Sequence, residues 1–169
     1  NSVKDYYNNL TLNEFNPTNF TDFVGAYVEE IESFQGDQQI NLNGCGEFDT
    51  VKGTGTVFRD LLRTTTAETL FTYEDEFFEG LSAITLNKYQ GGNVYYIGCG
   101  VDENIMDKLA DKILKDSKIE TIKSPKGVEV VRRSINNEEK YFVMNHTDKT
   151  QQLGDKEIKP YEAFVVDSI

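Results

Sequence analysis

The stretch from Ala83 to Gly98 leaves the chain little choice of structure. Ala83-Ile84-Thr85-Leu86-Asn87-Lys88-Tyr89 and Val94-Tyr95-Tyr96-Ile97-Gly98 are two runs rich in β-branched and aromatic residues. Gln90-Gly91-Gly92-Asn93 between them supplies the glycines that a tight turn requires. The segment predicts a β-hairpin, and a helix follows it. Asp102 suits an N-cap, and Glu103 stands in the first turn, where the helix dipole favours an anion. Ile105, Met106, Leu109, Ala110, Ile113 and Leu114 recur at helical spacing on one face. Lysines gather toward the C-terminal end. Ser124-Pro125-Lys126-Gly127 then breaks the pattern and marks a boundary.

The flanking segments read as follows. Residues 1–50 are rich in Asn, Asp and Gly, and suggest loops around a short helix near 19–25 and one or two strands. Residues 56–62 and 67–73 read as strands on either side of Thr64-Thr65-Thr66. Glu74 to Gly80 reads as a loop. Beyond the boundary the chain reads as all-β: a strand at 128–133, a turn at Asn136-Asn137-Glu138-Glu139, a returning strand at 140–145 and a last one at 163–167.

Composition excludes several classes. The chain has 169 residues, too few for an eight-fold β/α barrel of about 250. A hydrophobic share of 38% with 12% aromatics supports a packed core rather than disorder. Acids outnumber bases 29 to 17, for a formal net charge of -12. No basic cluster offers itself to phosphates or to anionic lipid, so neither nucleic acid nor membrane is expected as a partner. Lys108, Lys112, Lys115 and Lys118 alternate with Asp107, Asp111 and Asp116, as on a solvated helix face. No apolar run approaches 18 residues, and no signal-peptide pattern is visible. The chain opens on Asn1, which fits a removed leader or a piece of a longer protein; the expected location is cytoplasmic.

Cys45 and Cys99 are too few for a disulfide framework. His146 is the single histidine, so a metal cluster lacks ligands. Asn9-Leu10-Thr11, Asn19-Phe20-Thr21 and Asn145-His146-Thr147 match the glycosylation triplet, which arises by chance in an Asn-rich chain.

Several local patterns fall in one order: Thr21-Asp22-Phe23-Val24-Gly25-Ala26-Tyr27-Val28-Glu29-Glu30, then Tyr73, Phe78 and Gly80, the 83–98 hairpin, the helix, Gly127 to Arg133, Tyr141-Phe142-Val143-Met144-Asn145-His146-Thr147-Asp148, and Pro160-Tyr161-Glu162-Ala163. The series resembles the C-terminal region of the β-galactosidases of glycoside hydrolase family 42. That resemblance implies an α/β fold over residues 1–122, a partial flavodoxin- or amidotransferase-like trimerisation domain, followed by a small antiparallel all-β domain over 124–169. It further implies a parent that hydrolyses terminal β-D-galactosides with retention, a homotrimer, and the parent's own catalytic barrel as a partner. Ser82 stands where the family often has proline, and Cys99 where it often has a small hydroxylated residue. The short segment between His146 and Pro160 suggests that one hairpin of the last domain is missing. The first half of the trimerisation domain also reads as absent.

A retaining glycosidase needs two carboxyl groups about 5–5.5 Å apart. In the family both lie on the barrel, and no position here matches either motif. Glu29-Glu30 and Glu74-Asp75-Glu76 are neighbours in sequence, and adjacent strand residues point to opposite faces, so a surface role is expected. Gly98-Cys99-Gly100 ends a strand before a helix, the context that presents a nucleophile in hydrolases and amidotransferases. A working cysteine needs a base, and His146 lies past the boundary. A small buried thiol is the plainer reading. Tyr89, Tyr95, Tyr96, Tyr141 and Phe142 could stack on sugars, although alternation sends about half of them to the core. No catalytic, cofactor-binding or metal-binding residue is therefore assigned. A carbohydrate-binding module and an amidotransferase-like domain remain as alternatives.

Overall fold

The computed structural model describes Tyr7 and residues 15–75, 77–136 and 138–169, and divides the chain into two compact units, Asn1–Ile113 and Leu114–Ile169. The Asn9 triplet, Glu76 and Asn137 lie outside the described residues.

In the first unit a 3-10 turn (Thr18–Phe20) runs into a one-turn helix α1 (Thr21–Val24), which ends on Gly25 at φ 70°. Seven strands follow: β1 (Ala26–Ser33), β2 (Gln39–Gly44), β3 (Lys52–Thr64), β4 (Glu68–Glu74), β5 (Ser82–Tyr89), β6 (Gly92–Ile97) and β7 (Cys99–Val101). Helix α2 (Glu103–Asp116) comes next. The sheet order is β1-β3-β2-β4-β5-β6, and β7 pairs with β3.

Every named pairing in this sheet is antiparallel. The expected α/β, flavodoxin- or amidotransferase-like domain is thus not what residues 1–122 form. A parallel sheet needs a crossover of a dozen or more residues, usually a helix, between successive strands. Here successive strands are joined by short loops, such as 65–67 between β3 and β4 and Gln90-Gly91 between β5 and β6. Those loops return the chain antiparallel, and among the described residues the one long helix, α2, follows the strands instead of alternating with them.

Strand β3 organises the sheet. Its first half pairs with β2, up to Thr56 opposite Gln39, and its second half pairs with β1, from Phe58 opposite Ser33. Val57 stands between the two registers at φ 71° and is exposed. A β-branched residue seldom adopts that backbone; it marks a bulge, and bulges bend strands. The bend lets Leu62 pair with Ser82, so β2, β4 and β5 close back on β3. Leu42, Leu61, Phe71, Tyr73 and Ile84 form the core, joined by Ile105 and Leu109 of α2. Of the six helix residues expected on one face, Ile105 and Leu109 are buried, whereas Met106, Ala110 and Ile113 are exposed. The expected cap holds: Asp102 Oδ1 accepts the Ile105 N–H at 2.9 Å, and its Oδ2 accepts the Thr54 N–H at 2.6 Å.

The second unit contains β8 (Val128–Ile135), β9 (Glu138–Asn145), β10 (Gln151–Leu153), β11 (Lys156–Ile158) and β12 (Ala163–Val166). The antiparallel order is β12-β9-β8. Strands β10 and β11 form a hairpin in the segment expected to lack one. Its Leu153 and Ile158 pack with Val128 and Val143.

Candidate functional site

Two neighbouring charged residues interrupt the apolar second half of β3, and strand alternation sends them to opposite faces. Arg59 is 4% exposed. Register sets it opposite Glu32 of β1, and its guanidinium is ion-paired to that carboxylate and to Asp75, with Nη1 donating to Asp75 Oδ2 at 2.6 Å. The guanidinium carbon lies 4.2 Å from the Phe78 ring centroid, with Phe34 and Tyr73 at 5.7 and 6.0 Å. Burial works against the cation, but the two carboxylates outweigh it and hold Arg59 above its ordinary pKa. The Arg59 hydrogen bond, followed by the Phe77 N–H, holds the Asp75 carboxyl below its usual range. A buried cation with two anions and three rings pins the β4–β5 turn to the sheet.

Asp60 is 7% exposed, and its Oδ2 accepts the Tyr96 hydroxyl at 2.6 Å. Burial raises its carboxyl pKa, against the pull of that hydrogen bond. The Tyr73 hydroxyl donates to the carbonyls of Asp60 and Gly98, each at 3.2 Å. Cys99 is buried in the same region, and burial pushes its thiol up to about 11. The reactive form of a cysteine is the thiolate, so the shift runs against a nucleophile at neutral pH. His146 belongs to the second unit, is exposed, and meets Glu129 at 3.0 Å through Nε2. Both cysteines are free thiols.

The remaining sequence candidates are distributed over the surface and the core. Glu29 accepts from Arg63 Nε at 2.8 Å on the surface. Asp75, expected as surface decoration, is the partner of Arg59. Among the five aromatics, Tyr95 packs on the core, Tyr96 is engaged by Asp60, and Tyr89 stands edge-on to Phe23 with centroids 5.5 Å apart. Tyr141 donates its hydroxyl to Glu139, and Phe142 is 40% exposed. Among the described residues no group of three or more His, Cys, Asp or Glu could hold a metal ion.

Asn145 of the third glycosylation triplet is 3% exposed. Its Nδ2 meets the carbonyls of Lys149, Ile158 and Lys159 at 2.8, 3.3 and 2.9 Å. Its Oδ1 accepts the Thr147 N–H at 2.9 Å and the Thr147 hydroxyl at 2.8 Å. Asn145 is thus a structural hub of the second unit. Sequence reasoning singled out neither this role nor the Arg59 centre. The one available signal for Arg59 was an Arg-Asp pair inside a strand pattern.

Residues 2–120 match the family model of the β-galactosidase trimerisation domain, and residues 127–167 that of the β-galactosidase C-terminal domain. The chain is 31% identical over 137 residues to β-galactosidase LacZ of Heyndrickxia coagulans, covering 80% of this chain and 20% of that protein. It is 29% identical over 143 residues to β-galactosidase BgaA of Clostridium cellulovorans, covering 84% and 21%. It therefore spans about a fifth of the length of the curated relatives it matches. Crystal structures of β-galactosidases from a Rahnella species and from Bacillus circulans sp. alkalophilus share the fold, with TM-scores of 0.83 and 0.76 at 22% identity. They are matched over 97% and 95% of this chain and 26% of each of theirs. Two adjoining family matches, in the order trimerisation then C-terminal domain, show that the chain belongs to the β-galactosidases of glycoside hydrolase family 42.

Proposed function

We propose that this chain is the non-catalytic C-terminal part of a β-galactosidase whose remaining length carries the chemistry. The observation that carries the reading is that two non-barrel family domains account for residues 2–120 and 127–167, nearly the whole chain. The parent hydrolyses terminal β-D-galactosides with retention, using two carboxylates of a barrel that 169 residues cannot contain. The chain's role is to hold a homotrimer together and to brace that barrel. No residue of this chain is assigned to catalysis or to a cofactor. The free thiols of Cys45 and Cys99 support a cytoplasmic location, and no helix among the described residues is long and apolar enough to cross a membrane.

Two measurements test the proposal. The isolated chain is expected to release no nitrophenol from a nitrophenyl β-galactoside above background. When fused to a family barrel in place of that enzyme's own C-terminal part, it is expected to restore assembly. Turnover by the isolated chain that disappears on replacing one of its own glutamates would overturn the reading.

A further inference from the structure

We propose that the cleft between residues 120–122 and the inner face of β8 and β9 binds a neutral saccharide, with Arg132 and Tyr141 as the residues that hold it. The cleft lies wholly within the second unit. Strand alternation puts Val128, Val130 and Arg132 of β8 on one face, and register sets them opposite Asn145, Val143 and Tyr141 of β9. The β10–β11 hairpin covers that face at one end only. Val128 and Val143 are buried with Leu153 and Ile158, whereas Val130 and Tyr141 are half-buried and Arg132 is exposed. Glu120, Thr121 and Ile122 stand at the uncovered end, and with Val130, Arg132 and Tyr141 they line a cleft of about 660 Å³. Small-molecule sites run from about 300 to 1,000 Å³. The chain is fixed where this wall meets the sheet. Ser124 Oγ donates to the Val128 carbonyl at 2.8 Å, and the Val128 N–H to the Pro125 carbonyl at 2.9 Å. A wall anchored beforehand spares a ligand part of the entropy of ordering it.

The lining selects the class of ligand. Arg132 Nη1 lies 3.5 Å from Glu120 Oε2 and 3.8 Å from Glu139 Oε1. A charge-assisted hydrogen bond closes to about 2.7–2.9 Å, so both carboxylates neutralise the guanidinium without closing on it. The Tyr141 hydroxyl donates to Glu139 Oε2 at 2.9 Å and holds that carboxylate beside the cleft. Charges of both signs therefore stand side by side. An anionic ligand is repelled by the carboxylates and a cationic one by the guanidinium. A hydroxyl both donates and accepts. A vicinal pair of hydroxyls can accept from the guanidinium with one oxygen and donate to a carboxylate with the other. The remaining lining is apolar: Ile122, Val130 and the body of the Tyr141 ring, against which the C–H face of a sugar ring can lie. A compact polyol with one apolar face satisfies both halves of the cleft. An acyl chain would leave the charged half unmatched, and a phosphate the apolar half.

Titration calorimetry of the 169-residue chain with lactose tests the site. Saturable binding is expected, and its Kd should change less than about twofold between low and high salt because the ligand carries no charge. Galactose 6-phosphate should bind at least tenfold more weakly. Arg132→Gln and Tyr141→Ala should each weaken lactose binding at least fivefold. Tyr141→Phe, which keeps the ring, should lose less than half as much in log Kd as Tyr141→Ala. Glu120 is 86% exposed, so Glu120→Gln cannot act by unfolding the unit, and it should weaken binding at least twofold. Phe142→Ser, on the opposite face of the sheet, should leave binding unchanged. Absence of saturable binding overturns the site. So does binding that survives both Arg132→Gln and Glu120→Gln, binding that is lost in Phe142→Ser, or a phosphorylated sugar that binds as well as lactose. None of these outcomes touches the reading of the chain as the non-catalytic part of its parent, which fails on turnover by the isolated chain and not on binding.

Discussion

Replacing Asn145 by alanine should loosen the second unit by about 3 kcal/mol. The two Nδ2 hydrogens serve three carbonyls, and Oδ1 accepts two bonds from Thr147. Counting two donated and two accepted bonds at about 1 kcal/mol each gives about 4 kcal/mol. Water can reach the exposed ends at Lys149 and Lys159, which returns about 1 kcal/mol. The Ile158 carbonyl has no such relief, since Ile158 is fully buried. Asn145→Asp separates the contributions. It keeps the Oδ1 acceptor but turns a carboxylate oxygen toward carbonyls, so its folded-state pKa should rise. Stability then improves below the unfolded pKa and is lost as pH rises through the folded one. Amide exchange of Val128 and Val143 reads this unit by itself. Three kcal/mol corresponds to about 150-fold faster exchange from the open state. If Asn145→Ala speeds these amides less than about threefold, the hydrogen-bond hub is not what holds β9 to the β10–β11 hairpin.

Asp60→Asn should be neutral or stabilising at pH 7. Burial raises the folded-state pKa of Asp60, so its ionisation opposes folding above that pKa, and the advantage of Asn should shrink as pH falls. A loss above about 1 kcal/mol at pH 7 in urea titration would refute this. Cys99 should resist alkylation in the native chain until pH nears 11, the value to which burial pushes its thiol; a rate that levels off below pH 9 would contradict it. In Gly53→Ala the added Cβ would lie 2.6 Å from Asp102 Oδ2 and from Ile105 Cδ1. The start of α2 must then shift, at about 1–3 kcal/mol, and an unchanged melting temperature would show that the cap has room.

The sequence alone determined the features whose causes are local. The β5–β6 hairpin was legible from its glycines: Gly91 takes positive φ at the turn, 84°, beside Gln90 at 47°, and Gly92 begins β6. Helix α2 was legible from Asp102 and the spacing of Ile105 and Leu109, and the boundary from Ser124-Pro125-Lys126-Gly127. Family membership was legible from an ordered series of such segments. Tertiary structure alone decided what depends on distant pairing. Nothing local announced that β3 would change partners at Val57, that the first unit would close as an antiparallel sheet instead of an α/β layer, or that a short segment would still hold β10 and β11. The site residues divide the same way. Arg59 reads as an ordinary strand residue until register sets it opposite Glu32 and the β4–β5 turn brings Asp75 and Phe78 to it. Asn145 reads as part of a glycosylation triplet until Ile158 and Lys159 arrive from thirteen and fourteen residues away. Periodicity and turn chemistry are written in neighbouring residues, whereas register and buried ion pairs are properties of segments that meet only when the chain has folded.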